Sequence, residues 1–239
     1  MLSSNFYLLI FDYNVVMKNL HNALQLRQLH LLKQLGHAYT DITPSELEVE
    51  AVDLPDSMET LKKTVSGCHL CELSKSRHKT VFGEGSEHAT VMFIGEGPGA
   101  TEDSTGRPFV GRAGELLTKM IENVLLIPRS EVYIANIVKC RPPGNRVPTE
   151  SEAFTCRPYL LKQIEMIRPR IIVTLGATAY RYMTNDESPI SRVRGNAIMT
   201  DHYTLIPTFH PSYLLRNPSA KKEAFVDMKK VKEMMTQSV

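Results

Sequence analysis

The sequence has little excess of charge of either sign. Lysine and arginine together number 28 against 26 aspartates and glutamates, which gives a formal net charge of +2 at pH 7. A balance this mild does not by itself indicate a polyanionic partner, because only clustered cations produce a strong electrostatic footprint. Local clusters of basic residues must therefore carry any such interaction.

Long apolar runs are also missing. The opening stretch, MLSSNFYLLIFDYNVV, has no basic residues before its apolar part, contains Asp12 and is shorter than a bilayer span. It therefore predicts neither a signal peptide nor a transmembrane helix, and no contact with a membrane is expected. Only four cysteines are present and nothing indicates secretion, which argues against a disulfide framework and favours a reducing, cytoplasmic location.

Low-complexity tracts are absent, and 42% of the 239 residues are hydrophobic, as in a globular protein with a true core. That length suits one well-buried domain plus an extension. Leucines between residues 17 and 35 recur at helical spacing, which predicts an amphipathic helix, and the acidic stretch after it resembles a linker. We therefore expect an N-terminal extension over residues 1–57 and a folded domain over residues 58–239, with the protein a monomer.

Four short apolar runs predict strands, at residues 90–95, 132–138, 170–176 and 204–209. Residues 116–125 present an apolar helical face, and a capping box from Thr149 to Glu152 begins another helix, which Pro158 should break or kink. Near-continuous apolar strands that alternate with helices predict a mainly parallel sheet covered on both faces. The expected fold class is α/β, as a three-layer sandwich.

Polar residues follow three of these predicted strands. Glu96 comes after the first, Asn136 lies near the end of the second, and His210 comes after the last. Because ligands bind where the carboxyl ends of parallel strands open into a crevice, these three residues are expected to meet. Taken singly, Glu96 could form a surface ion pair and His210 could be structural.

The cysteines have a spacing that suits metal ligation. Cys68 and Cys71 form a C-x2-C pair, and Cys140 and Cys156 follow much later. Four thiolates can bind zinc or an iron–sulfur cluster, and the spacing does not choose between them. The alternative is that Cys140 and Cys156 are ordinary buried thiols.

Two glycine-containing loops follow the first predicted strand. The stretch GEGPG, which includes Gly97, has no P-loop lysine and does not fit G-x-G-x-x-G, so a tight turn is a better explanation of its glycines than a phosphate site. The stretch STGRPFVGRAG puts Phe109 between Arg107 and Arg112. Such an aromatic can stack on a base or face the core.

Two further stretches combine cations with turn or apolar residues. In HPSYLLRNP, Leu214 and Leu215 beside Arg216 could wedge into a base stack or begin a buried helix. In SPISRVRG, Arg192 and Arg194 could contact phosphate or belong to an ordinary solvated face.

Taken in order along the chain, these motifs resemble one family, the iron–sulfur-containing family 4 uracil-DNA glycosylases. The resemblance runs from about Cys68 to Pro218 and rests on the C-x2-C pair, GEGPG, GRPFVGRAG, NIVKCRPP, the second cysteine pair and HPSYLLRNP. It implies an α/β/α sandwich with a central four-stranded parallel sheet. It also implies a [4Fe-4S] cluster on the four cysteines, and the removal of uracil from DNA.

The resemblance assigns roles to single residues. It implies that Glu96 and Gly97 lie on the water and sugar side of the site and that Phe109 stacks on uracil. It further implies that Asn136 reads the amide edge of the base and that His210 faces its O2.

Other positions carry less specific implications. Asn145 and Glu102 match family positions associated with activity, Asn145 as a catalytic residue and Glu102 as a uracil contact that could block the methyl group of thymine. Base flipping is expected, with leucines holding the gap open and arginines gripping phosphate. The residues expected to contact DNA in this way are Arg107, Arg112, Arg192, Arg194, Leu214, Leu215 and Arg216.

The expected partner is uracil-containing DNA, single- or double-stranded. Three alternatives remain at this point: a non-enzymatic iron–sulfur DNA-binding or redox protein on the same scaffold, a zinc-dependent nucleic-acid module, and a covalent uracil-DNA trapping relative. Trapping relatives carry an inserted basic loop with a histidine after the second strand, whereas KCRPPGNRVPTE contains none. The hydrolytic enzyme is therefore the preferred prediction.

Overall fold

The computed structural model describes residues 54–236. The amphipathic helix predicted for residues 17–35 and nearly all of the predicted extension lie outside these residues. Contacts within the chain divide it between Leu54 and Pro55, and the boundary expected at residue 57 stays a prediction. Among the described helices, none is long and apolar enough to cross a bilayer.

The fold is built on a six-stranded sheet whose order is β1-β3-β2-β4-β6-β5. The strands are β1 Glu84–Gly85, β2 Val91–Gly95, β3 Tyr133–Asn136, β4 Ile171–Leu175, β5 Ile198–Met199 and β6 Thr204–Thr208. The four central strands are parallel, as expected, while β1 and β5 pair antiparallel at the two edges. The edge strands were not predicted, because two residues are too few to give an alternating pattern.

Helices cover the sheet and connect its strands. The α-helices are α1 Met58–Ser66, α2 Leu73–Ser76, α3 Ala100–Thr105, α4 Arg112–Met120, α5 Glu150–Ile167, α6 Ala177–Thr184, α7 Ile190–Val193, α8 Pro211–Arg216 and α9 Lys221–Thr236. A π-helical turn, Ile121–Leu125, extends α4, and short 3-10 turns occur at Arg129–Glu131, Pro143–Asn145 and Pro218–Ala220.

Alternation along the strands shows that both faces of the sheet are buried. Phe93 and Ile134 belong to a core cluster that also contains residues of α4, α8 and α9. Tyr133, one residue earlier on β3, points to the opposite face, where its hydroxyl accepts a hydrogen bond from Gln163 of α5 (3.0 Å). Helices therefore lie on both faces, which confirms the three-layer α/β/α prediction.

Helix α5 corrects one expectation. Its N-terminus has the predicted capping box, in which Thr149 and Glu152 satisfy each other's backbone N–H groups. Pro158 does not end the helix, which continues to Ile167. An interior proline costs about 3 kcal/mol, but most residues of α5 are buried against the sheet and α1, and this burial outweighs the penalty.

The register of the parallel strands aligns their carboxyl ends. Gly95 of β2 lies opposite Asn136 of β3, and Leu175 of β4 lies opposite Thr208 of β6. The residues at and after these positions therefore share one edge of the sheet.

Candidate active site

Three of the predicted site residues surround one point at this edge. A Cβ atom added to Gly95 would lie 2.4 Å from Asn136 Oδ1 and 2.5 Å from Phe109 Cζ. The rings of Phe109 and His210 have centroids 5.7 Å apart. Glu96 follows Gly95 directly at the end of β2. The structure thus brings Asn136, Phe109 and His210 together, and only glycine at position 95 leaves room for them.

Asn136 carries an unusual buried acceptor. The residue is 1% exposed, and its Oδ1 has no hydrogen-bond partner among the described residues. A buried acceptor left without a donor costs about 1 to 3 kcal/mol, so such atoms are rare and need an explanation. A ligand that donates a hydrogen bond to Oδ1 would supply the missing partner.

His210 is held by the first turn of α8. Its Nδ1 accepts a hydrogen bond from the backbone N–H of Ser212 (3.1 Å) and lies 2.7 Å from Ser212 Oγ. Because a backbone N–H can only donate, Nδ1 is the acceptor and the ring proton resides on Nε2. Burial, together with the nearby positive charge of Arg216, lowers the pKa of His210 to about 4. The imidazole is therefore neutral at pH 7 and offers one donor, Nε2–H.

The loop that carries Phe109 is held by hydrogen bonds to the carboxylate of Glu102. Its backbone has φ of 50°, in the left-handed region that non-glycine residues seldom adopt. Glu102 Oε1 accepts hydrogen bonds from the N–H groups of Val110 (2.9 Å) and Gly111 (2.8 Å), and Oε2 accepts one from Gly99 (3.1 Å). One carboxylate thus joins the loop after β2 to the loop that carries Phe109. The role predicted for Glu102 against thymine stays a prediction.

We expect Glu102→Ala to lower the free energy of unfolding by about 2 to 3 kcal/mol, since it removes the charged acceptor of three backbone donors. It should also loosen the loop that carries Phe109, because the N–H groups of Val110 and Gly111 lose their shared acceptor. Chemical denaturation and amide hydrogen exchange at Val110 and Gly111 measure the two effects. Ser104→Ala, an exposed change on the same short helix, is the control, and equal behaviour of the two variants would contradict this role.

Glu96 lies in a partly apolar setting. Burial raises its pKa, and a hydrogen bond with Thr178 of α6 opposes this in part. The next residue, Gly97, has no room for a side chain, since an added Cβ would lie 2.8 Å from Val138 Cγ2. Glu96 and Gly97 are therefore both partly buried, directly after the end of β2.

Asn145 does not join this group of residues. It lies on an exposed turn with φ of 55°, and its Oδ1 accepts a hydrogen bond from Arg141 Nε (2.7 Å). Its catalytic role stays a prediction.

Four of the five arginines predicted to contact DNA are exposed. Arg112, Arg192 and Arg216 are exposed. Arg107 is exposed too, but it forms a two-pronged ion pair with Glu84 (2.6 and 2.9 Å).

Arg194 is mostly buried. It forms an ion pair with Asp227 and packs over the Phe209 ring at 5.6 Å. A phosphate contact by Arg194 would require breaking that pair, and this role stays a prediction.

The two leucines of α8 differ in burial. Leu214 is 1% exposed and belongs to the core cluster, so a wedge role would require it to leave the core, and this role stays a prediction. It points into the core because positions three and four apart share a helix face, and Pro211 and Leu214 occupy the buried one. Leu215 is only partly buried and remains the candidate wedge.

The four cysteines line one pocket beneath this edge of the sheet, together with Arg77, Lys139 and Tyr159. Two donors face the sulfurs: Arg77 Nη1 lies 3.4 Å from Cys140 Sγ, and the backbone N–H of Lys139 lies 3.2 Å from Cys156 Sγ. Such N–H···S contacts are typical of thiolates that bind metal.

Burial sets the protonation of these thiols. It raises the pKa of Cys71 to about 11 and also raises the pKa values of Cys140 and Cys156. Without a compensating cation the thiols stay protonated at neutral pH, whereas metal coordination removes the proton. Within residues 54–236, no group of three or more His, Cys, Asp and Glu side chains is arranged to hold a metal ion. Four thiols are nevertheless the set of donors that zinc and iron–sulfur clusters both use.

Sequence reasoning missed the buried polar residues that connect the pocket to the site. Lys139 Nζ donates to the Asn136 carbonyl (3.0 Å) and to Gln163 Oε1 (2.6 Å), and Gln163 donates to the Phe82 carbonyl (3.1 Å). The one available signal was a lysine within an otherwise apolar run, NIVKC.

Comparison with known proteins bears on the activity of this site. A family profile described as the uracil DNA glycosylase superfamily matches residues 82–229. A type-4 uracil-DNA glycosylase of Thermotoga maritima is 48% identical over 74% of this chain and 94% of its own length. One of Sulfurisphaera tokodaii is 45% identical over 75% of this chain and 85% of its own length. A type-5 uracil-DNA glycosylase of Pyrobaculum aerophilum is 30% identical over 54% of this chain and 64% of its own length.

Proposed function

The chain belongs to the uracil-DNA glycosylase superfamily and, within it, to the type-4 uracil-DNA glycosylases, and we propose that it hydrolyses the N-glycosidic bond of uracil in DNA. The product is an abasic site, the starting point of base excision repair. The observation that carries the proposal is the buried, unpaired Asn136 Oδ1 beside the Phe109 ring and His210.

Asn136 supplies the recognition of the base. Its Oδ1 accepts the N3–H of uracil and its Nδ2 donates to O4. Cytosine presents an acceptor at N3 and a donor at N4, the opposite pattern, so it leaves the buried amide unpaired and is rejected. Phe109 contributes a flat apolar surface on which the extruded base stacks.

His210 stabilises the leaving group. As the glycosidic bond breaks, uracil departs with negative charge on O2, and the Nε2–H of the neutral imidazole donates to this oxygen. The backbone N–H of Ser212 keeps the donor on that side of the ring. A preorganised donor of this kind contributes about 3 to 4 kcal/mol to stabilisation of the transition state.

Glu96 acts on the sugar side. Its ionised carboxylate favours the cation-like sugar and directs a water molecule to C1′, much as carboxylates do in glycoside hydrolysis. Water is the nucleophile and no covalent enzyme intermediate forms. The absence of a histidine from residues 139–150, which separates the chain from covalent trapping relatives, supports hydrolysis.

The DNA binds with its target base flipped out of the base stack. Leu215 is the residue available to fill the gap, beside the exposed cations Arg112, Arg192 and Arg216. Single- and double-stranded DNA both remain substrates in this proposal, and the protein acts as a monomer.

The four thiols of the pocket are the ligands of a [4Fe-4S] cluster in this proposal. The cluster ties the segment after α1 to β3 and α5, and so stabilises the site from beneath. No step of the reaction passes through it. Thiolate ligation requires a reducing compartment, which is consistent with the expected cytoplasmic location.

Incubating the protein with a uracil-containing oligonucleotide and then treating it with alkali tests the proposal. We expect strand scission at the uracil, in single- or double-stranded DNA, because alkali cleaves an abasic site. The same oligonucleotide with thymine is the control. No scission of either uracil substrate would favour the non-enzymatic DNA-binding alternative.

A further inference from the structure

Lys139 is a buried cation between the base-reading strand and the thiol pocket. The residue is 1% exposed, and it follows the end of β3 by three positions. Its Nζ donates to the Asn136 carbonyl (3.0 Å) and to Gln163 Oε1 (2.6 Å). Both acceptors are neutral, so neither offsets the cost of burying a charge.

The thiol pocket lies at the other side of the same residue. The backbone N–H of Lys139 lies 3.2 Å from Cys156 Sγ, and Cys140 is the next residue along the chain. Lys139 also lines the pocket itself. One residue thus contacts the thiol pocket through its backbone N–H and the Asn136 carbonyl through its ammonium group.

Gln163 fixes the position of the ammonium group. Its Nε2 donates to the Phe82 carbonyl (3.1 Å) and to the Tyr133 hydroxyl (3.0 Å), which leaves Oε1 directed at Lys139 Nζ. The amide is therefore oriented by two acceptors on neighbouring segments. Lys139 in turn is held where it can reach Asn136.

We infer that Lys139 is a positioning residue for uracil recognition, which holds the Asn136 carbonyl through Nζ and is itself held by Gln163 and by the Cys156 sulfur. The inference rests on the proposed function. When the Nζ hydrogen bond is lost, the Asn136 carbonyl is no longer held by the buried lysine. The Asn136 amide then moves away from the base, whereas surfaces that contact the DNA backbone are unaffected.

The test compares Lys139→Met with two matched variants. Methionine has nearly the same length as lysine and no charge, so it removes the hydrogen bonds without leaving a large cavity. Arg77→Met removes the other donor to the thiols, which does not contact Asn136. Gln163→Met keeps the lysine and its charge but removes one acceptor of Nζ.

Three quantities are measured for each variant: iron per chain, the inhibition constant of free uracil, and the affinity for DNA that contains an abasic site. For Lys139→Met at wild-type iron content, we expect the uracil inhibition constant to rise about tenfold, since one charged hydrogen bond is lost. Affinity for abasic DNA should stay within about twofold of wild type. Arg77→Met should lower iron content and leave uracil inhibition of the iron-loaded protein unchanged.

A Lys139→Met protein with full iron and an unchanged inhibition constant would overturn the inference, as would an equal loss of uracil and abasic-DNA affinity. If Lys139→Met does not fold, Gln163→Met tests the inference instead. We then expect the uracil inhibition constant to rise severalfold, and an unchanged constant would overturn the inference. Uracil excision by the wild-type protein is measured alongside. Its absence would reject the proposed function, whereas excision by the wild type together with unaltered variants rejects only the positioning role of Lys139.

Discussion

Replacing His210 with alanine is expected to lower kcat for uracil excision by about 10²- to 10³-fold, the cost of removing one preorganised donor from a developing anion. Affinity for uracil-containing DNA should change little, because the Nε2–H bond to O2 strengthens only as negative charge develops. Single-turnover rates and equilibrium binding to the same oligonucleotide measure the two quantities. An equal loss in both would contradict the leaving-group role.

The variant has a structural side effect that needs its own control. His210 also caps α8 by accepting the Ser212 N–H, so its removal costs about 1 kcal/mol of stability. Asparagine is a good N-cap residue, and His210→Asn should recover the melting temperature without recovering kcat. His202→Ala, at an exposed position in a turn, should leave both properties unchanged.

The pKa of His210 also predicts how the stability and the activity of the protein depend on pH. Because burial lowers that pKa from 6.5 to about 4, the folded protein keeps His210 neutral as the pH falls through 6.5. Stability from this group is therefore complete above pH 6.5 and is lost as the pH falls toward 4.

Activity should not decline near pH 6.5. Its acid limb belongs to Glu96, whose pKa burial raises, so Glu96→Gln should abolish the limb while His210→Ala keeps it.

Changing Asn136 to aspartate is expected to lower uracil excision by about 10³-fold or more and to introduce slow excision of cytosine. An ionised aspartate repels O4 of uracil, and the site loses a buried pair of hydrogen bonds, a change for which discrimination of about 10⁴ to 10⁵ is known. The protonated fraction of the aspartate, which burial increases, donates to N3 of cytosine and accepts from its amino group. Kinetics with matched uracil- and cytosine-containing oligonucleotides measure the switch.

Asn123→Asp makes the same chemical change at an exposed position outside the pocket and should leave base preference unchanged. If Asn136→Asp lowers activity but retains the wild-type ratio of uracil to cytosine excision, Asn136 does not read the base. The pH dependence of cytosine excision by Asn136→Asp provides a further test. Cytosine excision should increase as the pH falls and the aspartate becomes protonated.

The sequence predicted most of the fold because local pattern and sheet geometry agree. The apolar runs that became β2, β3, β4 and β6 are buried on both faces, and continuous apolar strands require cover on both sides. The edge strands and the passage of α5 through Pro158 were missed. In both cases tertiary contacts outweighed the local signal.

The candidate site was predicted in a similar way. Glu96, Asn136 and His210 lie at or just after the ends of three of the four parallel strands, and such ends share one edge of the sheet. Burial was harder to predict, since Leu214 and Leu215 are chemically identical and only the direction of α8 against the core separates them. The partners of charged groups were harder still. Glu102 binds three backbone donors, and Arg194 is held by Asp227, 33 residues away.

By itself the sequence determined the α/β class, the parallel direction of the central strands, the set of four thiols and the three polar residues at the strand ends, because periodicity and spacing encode these features directly. Only the tertiary structure decided which of these groups are buried without a partner, which nitrogen of His210 carries the proton, and that Lys139 lies between Asn136 and the thiols. Those properties depend on distances between residues far apart in the chain. No local pattern records such distances.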